Sequence, residues 1–202
     1  MNTKMAALIV GAVLCGVAPG YAGVISGWNG TLDGWAPNDA TVTLANSATT
    51  GVTEGSGSLQ VVRTTTGWNN TMQLIDAGGL AAFSQFPGNT QLSLDVTASS
   101  TDVPGGWLNV TFAIQGGSLG WTQSSDMAVS LDGAPHTYTW DYSAVALPTS
   151  PTWWQVIIAT NYGGANFTIY EDNLRTSGAV VPEPASLGLL GLGALALLRR
   201  RH

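Results

Sequence analysis

Between residue 23 and about residue 180, apolar and polar residues alternate with a period of two in short runs separated by Gly, Pro, Asn and Asp. A period of two sends successive side chains to opposite faces of a strand, so the pattern predicts antiparallel strands with one face buried. The runs fall at 40–46 (Val42 and Leu44 on one face), 58–65 (Leu59, Val61), 71–76 (Met72, Leu74), 90–97 (Leu92, Leu94, Val96), 107–115, 136–142, 153–161 and 166–174. In the fifth run, Leu108, Val110, Phe112 and Ile114 alternate with Trp107, Asn109, Thr111 and Gln115. Eight or nine strands in about 150 residues predict an all-β, two-sheet antiparallel sandwich. One short helical candidate interrupts them, Gly78–Phe86.

The pattern changes at both ends. Residues 1–22 carry Lys4, an apolar run from Ala6 to Ala18, and small residues at Gly20 and Ala22, the layout of a secretory signal peptide cut after Ala22. Cys15 lies inside the apolar run behind Leu14, which is not a lipidation site. At the other end, residues 179–202 hold Pro182, Glu183 and Pro184, then an apolar stretch from Leu187 to Leu198, then Arg199, Arg200 and Arg201. That stretch is apolar all round, so as a helix it has no polar face to show to water. Twelve to fourteen residues rise only about 18–21 Å, short of the roughly 30 Å hydrocarbon core. The arginines resist translocation and keep the tail's end cytoplasmic. A transient, processed transmembrane helix fits these features, leaving 23–178 as one domain.

Composition narrows the function of that domain. Charged residues make up 9% of the chain against about 25% in average soluble domains, and Gly numbers 26, which excludes bundles and coiled coils. Within residues 23–180, Arg63 and Arg175 face eleven acids, a net charge of −9. Nucleic acid is excluded as a partner, since phosphate binding needs clustered Lys and Arg. A single cysteine rules out intrachain disulfides, thiolate zinc clusters and iron–sulfur sites, and two histidines rule out imidazole-rich metal centres.

The Pro-Glu-Pro triplet, apolar helix and arginine cluster, in that order, resemble the PEP-CTERM sorting signal of Gram-negative bacteria. The resemblance implies that an exosortase, a membrane cysteine protease or transpeptidase, recognises the tail. It also implies passage through the secretion machinery and the inner membrane to the cell surface or an exopolysaccharide-containing matrix. Within the domain, the opening GWNGTLDGW (Gly27–Trp35), the turn and strand GSGSLQV (Gly55–Val61), HTYTWDY (His136–Tyr142) and FTIYEDNL (Phe167–Leu174) are similar to jelly-roll carbohydrate-binding modules of the galactose-binding-like fold. That family carries a structural calcium between its first and last strands. The resemblance places calcium (Ca2+) on Asp172, with Asn29 where many members have Glu; calcium accepts amide oxygens as well as carboxylates.

Eight tryptophans supply candidates for sugar stacking, although most Trp in a sandwich fill the core. Parity separates them. Trp154 shares a face with Val156 and Ile158 and points inward, and Trp140 reads as core. Trp153 is in step with Gln155 and Asn161, and Trp107 with Asn109, Thr111 and Gln115. The predicted glycan-binding set is therefore Trp107 and Trp153, with Gln155 and Asn109 beside them and Trp121 and Trp68 in adjoining loops. Trp28 and Trp35 are structural. No nucleophile elbow or phosphate loop is present, and His136, at a strand start beside Pro135, reads as structural. The expectation is a non-catalytic, exported protein that binds polysaccharide. Its alternatives are a matrix or coat protein without ligand and, behind that, a glycoside hydrolase, which needs two carboxyl groups about 5–10 Å apart in a cleft.

Overall fold

A computed structural model describes residues 23–164 and 166–178; the expected signal peptide and the expected C-terminal apolar helix lie outside them. Among the described residues no helix is long and apolar enough to cross a membrane.

In chain order the strands are β1 (Gly23–Ser26), β2 (Ala36–Pro37), β3 (Val42–Ser47), β4 (Ser58–Arg63) and β5 (Gly67–Leu74). After helix α1 (Asp76–Phe83) come β6 (Gln91–Ser99), β7 (Asn109–Gly116), β8 (Leu119–Gln123), β9 (Met127–Ala128), β10 (Asp132–Asp141), β11 (Trp154–Tyr162) and β12 (Phe167–Ser177). Two antiparallel sheets result. Sheet A runs β10-β6-β12-β4-β3, with β1 on the far half of the β12 edge, and sheet B runs β2-β5-β11-β7-β8, with β9 beside β7. Because β1 pairs with β12, Gly23 lies opposite Thr176 and the described chain starts and stops side by side.

The apolar parity of each strand supplies the core between the sheets. Leu92, Leu94 and Val96 from β6, Val110, Phe112 and Ile114 from β7, and Val156 and Ile158 from β11 are all buried there with Trp28, Trp35, Trp140 and Trp154. Helix α1 closes one end of the sandwich. Phe83 and Phe86 stack edge-on against Trp154, with ring centroids 4.8 and 5.4 Å away. Gly79 lies so close to the Trp154 carbonyl that a Cβ there would collide with it.

Several elements differ from the sequence expectation. The described residues form twelve strands, not eight or nine. β1, β2 and β9 span four residues or fewer, too short to show alternation. In β8, Gly120 leaves a gap in the pattern. Trp68 and Trp121 stand in β5 and β8 rather than in loops. α1 begins at Asp76, two residues before the expected start, and ends at Phe83. β10 begins at Asp132, so His136 lies inside the strand, half-buried and 2.9 Å from the Asp132 carboxylate.

The segment from 48 to 57 straps the outer face of sheet A. Thr53 donates through its hydroxyl to Asp95, which also accepts from Thr137, Asn173 and Arg175. Burial opposes ionisation of Asp95, but the hydroxyls of Thr137 and Thr53 and the Arg175 guanidinium prevail and hold its pKa below the usual carboxylate range.

Candidate functional site

The outer face of sheet B is the surface on which polar and aromatic side chains converge. Strand pairing aligns Gln155 with Gln115 on one side, and Ile157, two residues on, with Gln73 on the other. The three amides form a ladder: Gln115 donates to Gln155 at 2.5 Å, and Gln155 donates to Gln73. Further along, Asn161 of β11 lies opposite Asn109 of β7 and Trp68 of β5. Asp126 accepts from Thr111 at 2.7 Å and from Asn161 at 3.4 Å.

Trp68 and Trp121 come from strands on the two flanks of the β11–β7 pair, yet their rings meet edge to face with centroids 6.1 Å apart. The Trp121 indole donates to Gln123 at 2.6 Å. Thr111, Ala113, Ile157 and Ala159 alternate away from the core and are nevertheless fully buried. Trp68 and Trp121 expose about two fifths of their surface, 44% and 40%, so a ligand can reach their faces.

Trp107 and Trp153 are exposed, and Trp154 and Trp140 are buried. The exposed two do not come together. Trp107 precedes β7, packing on Tyr162 (6.3 Å) and over Gly163; Trp153 precedes β11 beside Gly116, at the other end of the same strand pair. Seven residues of strand put roughly 23 Å between those ends. Gln155 belongs to the amide ladder, and Asn109 is half-buried at the Asn161 end. The sequence reading missed Gln73 and Asp126 as members of this face. Gln73 had a signal, since it alternates with Met72 and Leu74; Asp126 follows the β8 turn and had none.

The residues named for calcium lie on the opposite side of the molecule. Buried Asp172 accepts from the backbone N–H of Thr53 (2.6 Å), Glu54 (2.8 Å) and Asn173 (2.7 Å), and from the Thr53 hydroxyl at 3.1 Å. Asn29 spends its side-chain oxygen on the Ser56 N–H. A calcium shell requires six to eight oxygen donors, whereas N–H groups occupy these lone pairs. Among the described residues no group of three or more His, Cys, Asp or Glu is placed to hold a metal. This donor set does not fit the ion, and Asp172 ties the strap to β12 through the chain's own donors.

Set beside known proteins, the two parts of the chain have separate counterparts. Residues 180–201 match the PEP-CTERM protein-sorting motif. The PEP-CTERM tail implies export with the C-terminus as sorting signal. No curated protein matches the chain. The folded part is similar to the C-terminal family 22 carbohydrate-binding module of Clostridium thermocellum Xyn10B, at 20% identity and a TM-score of 0.52, covering 81% of this chain and 97% of that one. A xylan-binding domain of the same module family aligns with the same score and coverage at 19% identity. The family 11 module of Clostridium thermocellum, determined with a β-1,3-1,4-mixed-linked tetrasaccharide, gives 13% identity, a TM-score of 0.50 and coverage of 78% and 96%. At these identities the likeness establishes the fold: a two-sheet jelly roll, as the sequence motifs led one to expect.

Proposed function

We propose that this is an exported, non-catalytic glycan-binding protein that grips a neutral polysaccharide chain on the outer face of sheet B. An exosortase reads its PEP-CTERM tail and releases it from the inner membrane to the cell surface or matrix. The observation that carries the binding reading is one face holding both the Gln73–Gln155–Gln115 ladder and the Trp68–Trp121 pair. Amides donate and accept at once, which matches sugar hydroxyls. Indoles offer flat apolar faces to the C–H side of a pyranose ring.

Charge selects the class of glycan. Arg63 is buried between the sheets and Arg175 lies on sheet A, so among the described residues no arginine or lysine faces the ladder. Asp126 supplies a negative charge there. A uronic-acid polymer would meet repulsion without compensation, and a neutral one would not.

Affinity electrophoresis of the full chain in detergent tests this reading. Soluble xylan and mixed-linked β-glucan are the probes, with a polyuronate as control. Retardation by a neutral polymer, lost by about 1–3 kcal/mol in Trp68→Ala or Trp121→Ala, is expected by analogy with aromatic stacking on bases. If neither neutral polymer retards the parent chain, the glycan reading fails and a ligand-free coat protein replaces it.

A further inference from the structure

Arg63 is the last residue of β4 and shares the inward parity of Leu59 and Val61, so its guanidinium enters the core and is fully buried. No carboxylate pairs with it among the described residues. Instead its side-chain bonds go to the crossover that leads into sheet B and to strands β5 and β11 of that sheet. Nε donates to the Thr65 hydroxyl at 3.1 Å. Nη1 donates to the carbonyl and hydroxyl of Thr160 at 3.0 and 2.8 Å, and Nη2 to the Gly67 carbonyl at 2.5 Å. The Phe167 ring lies 5.8 Å away.

These acceptors are the immediate neighbours of the face residues. Gly67 precedes Trp68, and Thr160 precedes Asn161. Three threonines carry the chain from sheet A to sheet B between Arg63 and Gly67, and Gly67 turns it with a φ of +83°, a value glycine adopts without strain. On the other side of Trp68, Asn69 donates to Asp39 at 3.0 Å. The backbone around Trp68 is thus held from beneath by Arg63 and from the rim by Asp39. Burial lowers the Arg63 pKa, and the Asp39 carboxylate opposes that shift.

We propose that Arg63 is a positioning residue for the glycan-gripping surface: by bonding Gly67 and Thr160 from inside the sandwich, it sets Trp68 where it can meet Trp121. A fork of five donors can serve both strands at once; a lysine ammonium, shorter and with three donors, cannot span them. The proposal deepens the glycan reading, but its primary test does not depend on any sugar.

Circular dichroism provides that test. Indoles about 6 Å apart couple their transitions, and Trp28–Trp35 at 5.9 Å contributes as well as Trp68–Trp121. Subtracting the Trp121→Phe spectrum from that of the full chain in detergent isolates the outer pair. Arg63→Lys should remain folded, as a cooperative thermal melt reports, while the isolated couplet falls to less than half and binding to the better neutral polymer weakens roughly tenfold. A folded Arg63→Lys with an undiminished couplet overturns the proposal. Should that variant not fold, Thr65→Val with Thr160→Val keeps the charge and removes both hydroxyl acceptors. A reduced couplet then supports positioning by Arg63, and an unchanged one refutes it. Loss of the couplet in a chain whose parent binds neither polymer upholds Arg63 and refutes only the glycan reading.

Discussion

Glu171 occupies an inward position on β12, in step with Phe167 and Ile169, between its cross-strand neighbours Leu59 and Val96. It is fully buried, and neither carboxylate oxygen finds a donor among the described residues. Burial pushes its pKa from 4.5 up to about 8. In the unfolded chain the group ionises near its ordinary value, so its contribution to stability is fully present below about pH 4.5. That contribution is lost as pH climbs through about 8. Glu171→Gln reproduces the neutral form at every pH. It should raise the melting temperature at pH 8 and flatten the fall between pH 5 and 8, with little change at pH 4; a parent-like slope in thermal melts would contradict this. The opposite sign applies to Asp95, whose lowered pKa makes its contribution vanish only at strongly acid pH, outside that window. In the sequence Glu171 is in step with Phe167 and Ile169, but nothing there says that the carboxyl is left unpaired, because partners are supplied by segments distant in sequence.

Among the elements, α1 and β11 depend most closely on one another. The helix lies against the Trp154 carbonyl because residue 79 has no side chain, and Phe83 and Phe86 then reach the Trp154 ring. Gly79→Ala ordinarily favours a helix by about 1 kcal/mol. Here the added methyl must push the helix off the strand, so a net loss of about 1–3 kcal/mol is expected in urea unfolding. A variant as stable as the parent would show that the helix shifts freely. The long strands of alternating sequence were legible in advance, and with them the inward course of Trp140 and Trp154. Of the four unpredicted strands, β1 and β2 are made by pairing with strands remote in sequence, β9 is only two residues long, and β8 is the hairpin partner of β7 with its alternation broken at Gly120. The same distinction governs the site. Parity exposed Trp107, Trp153, Gln155 and Asn109 to view, whereas the meeting of Trp68 with Trp121 depends on the order of strands across sheet B, which no local pattern records. Arg63 was visible only as a charge, because the alternation that turned it inward also suggested an apolar residue.

For the molecule as a whole, the question left by its resemblance to calcium-bearing jelly rolls is what binds its first and last strands. β1 pairs with β12 directly, and the strap from 48 to 57 ties β12 to β6 through Asp172 and Asp95, whose oxygens it fills with the chain's own donors. Chelation by EDTA, and then excess calcium, should therefore leave the melting temperature of the full chain unchanged, because a ligand stabilises only a fold that binds it. A rise of several degrees with millimolar calcium would place the ion on this protein after all. The juxtaposition of Gly23 and Thr176 has a topological consequence for a chain with a sorting motif at residues 180–201 and, as expected from the sequence, an export leader at 1–22. Were both ends tethered to one surface, the strands between them could still pair along their whole length. The domain would hang as a closed loop from two neighbouring stems, and cutting either stem would leave the other end, and the fold, where it was.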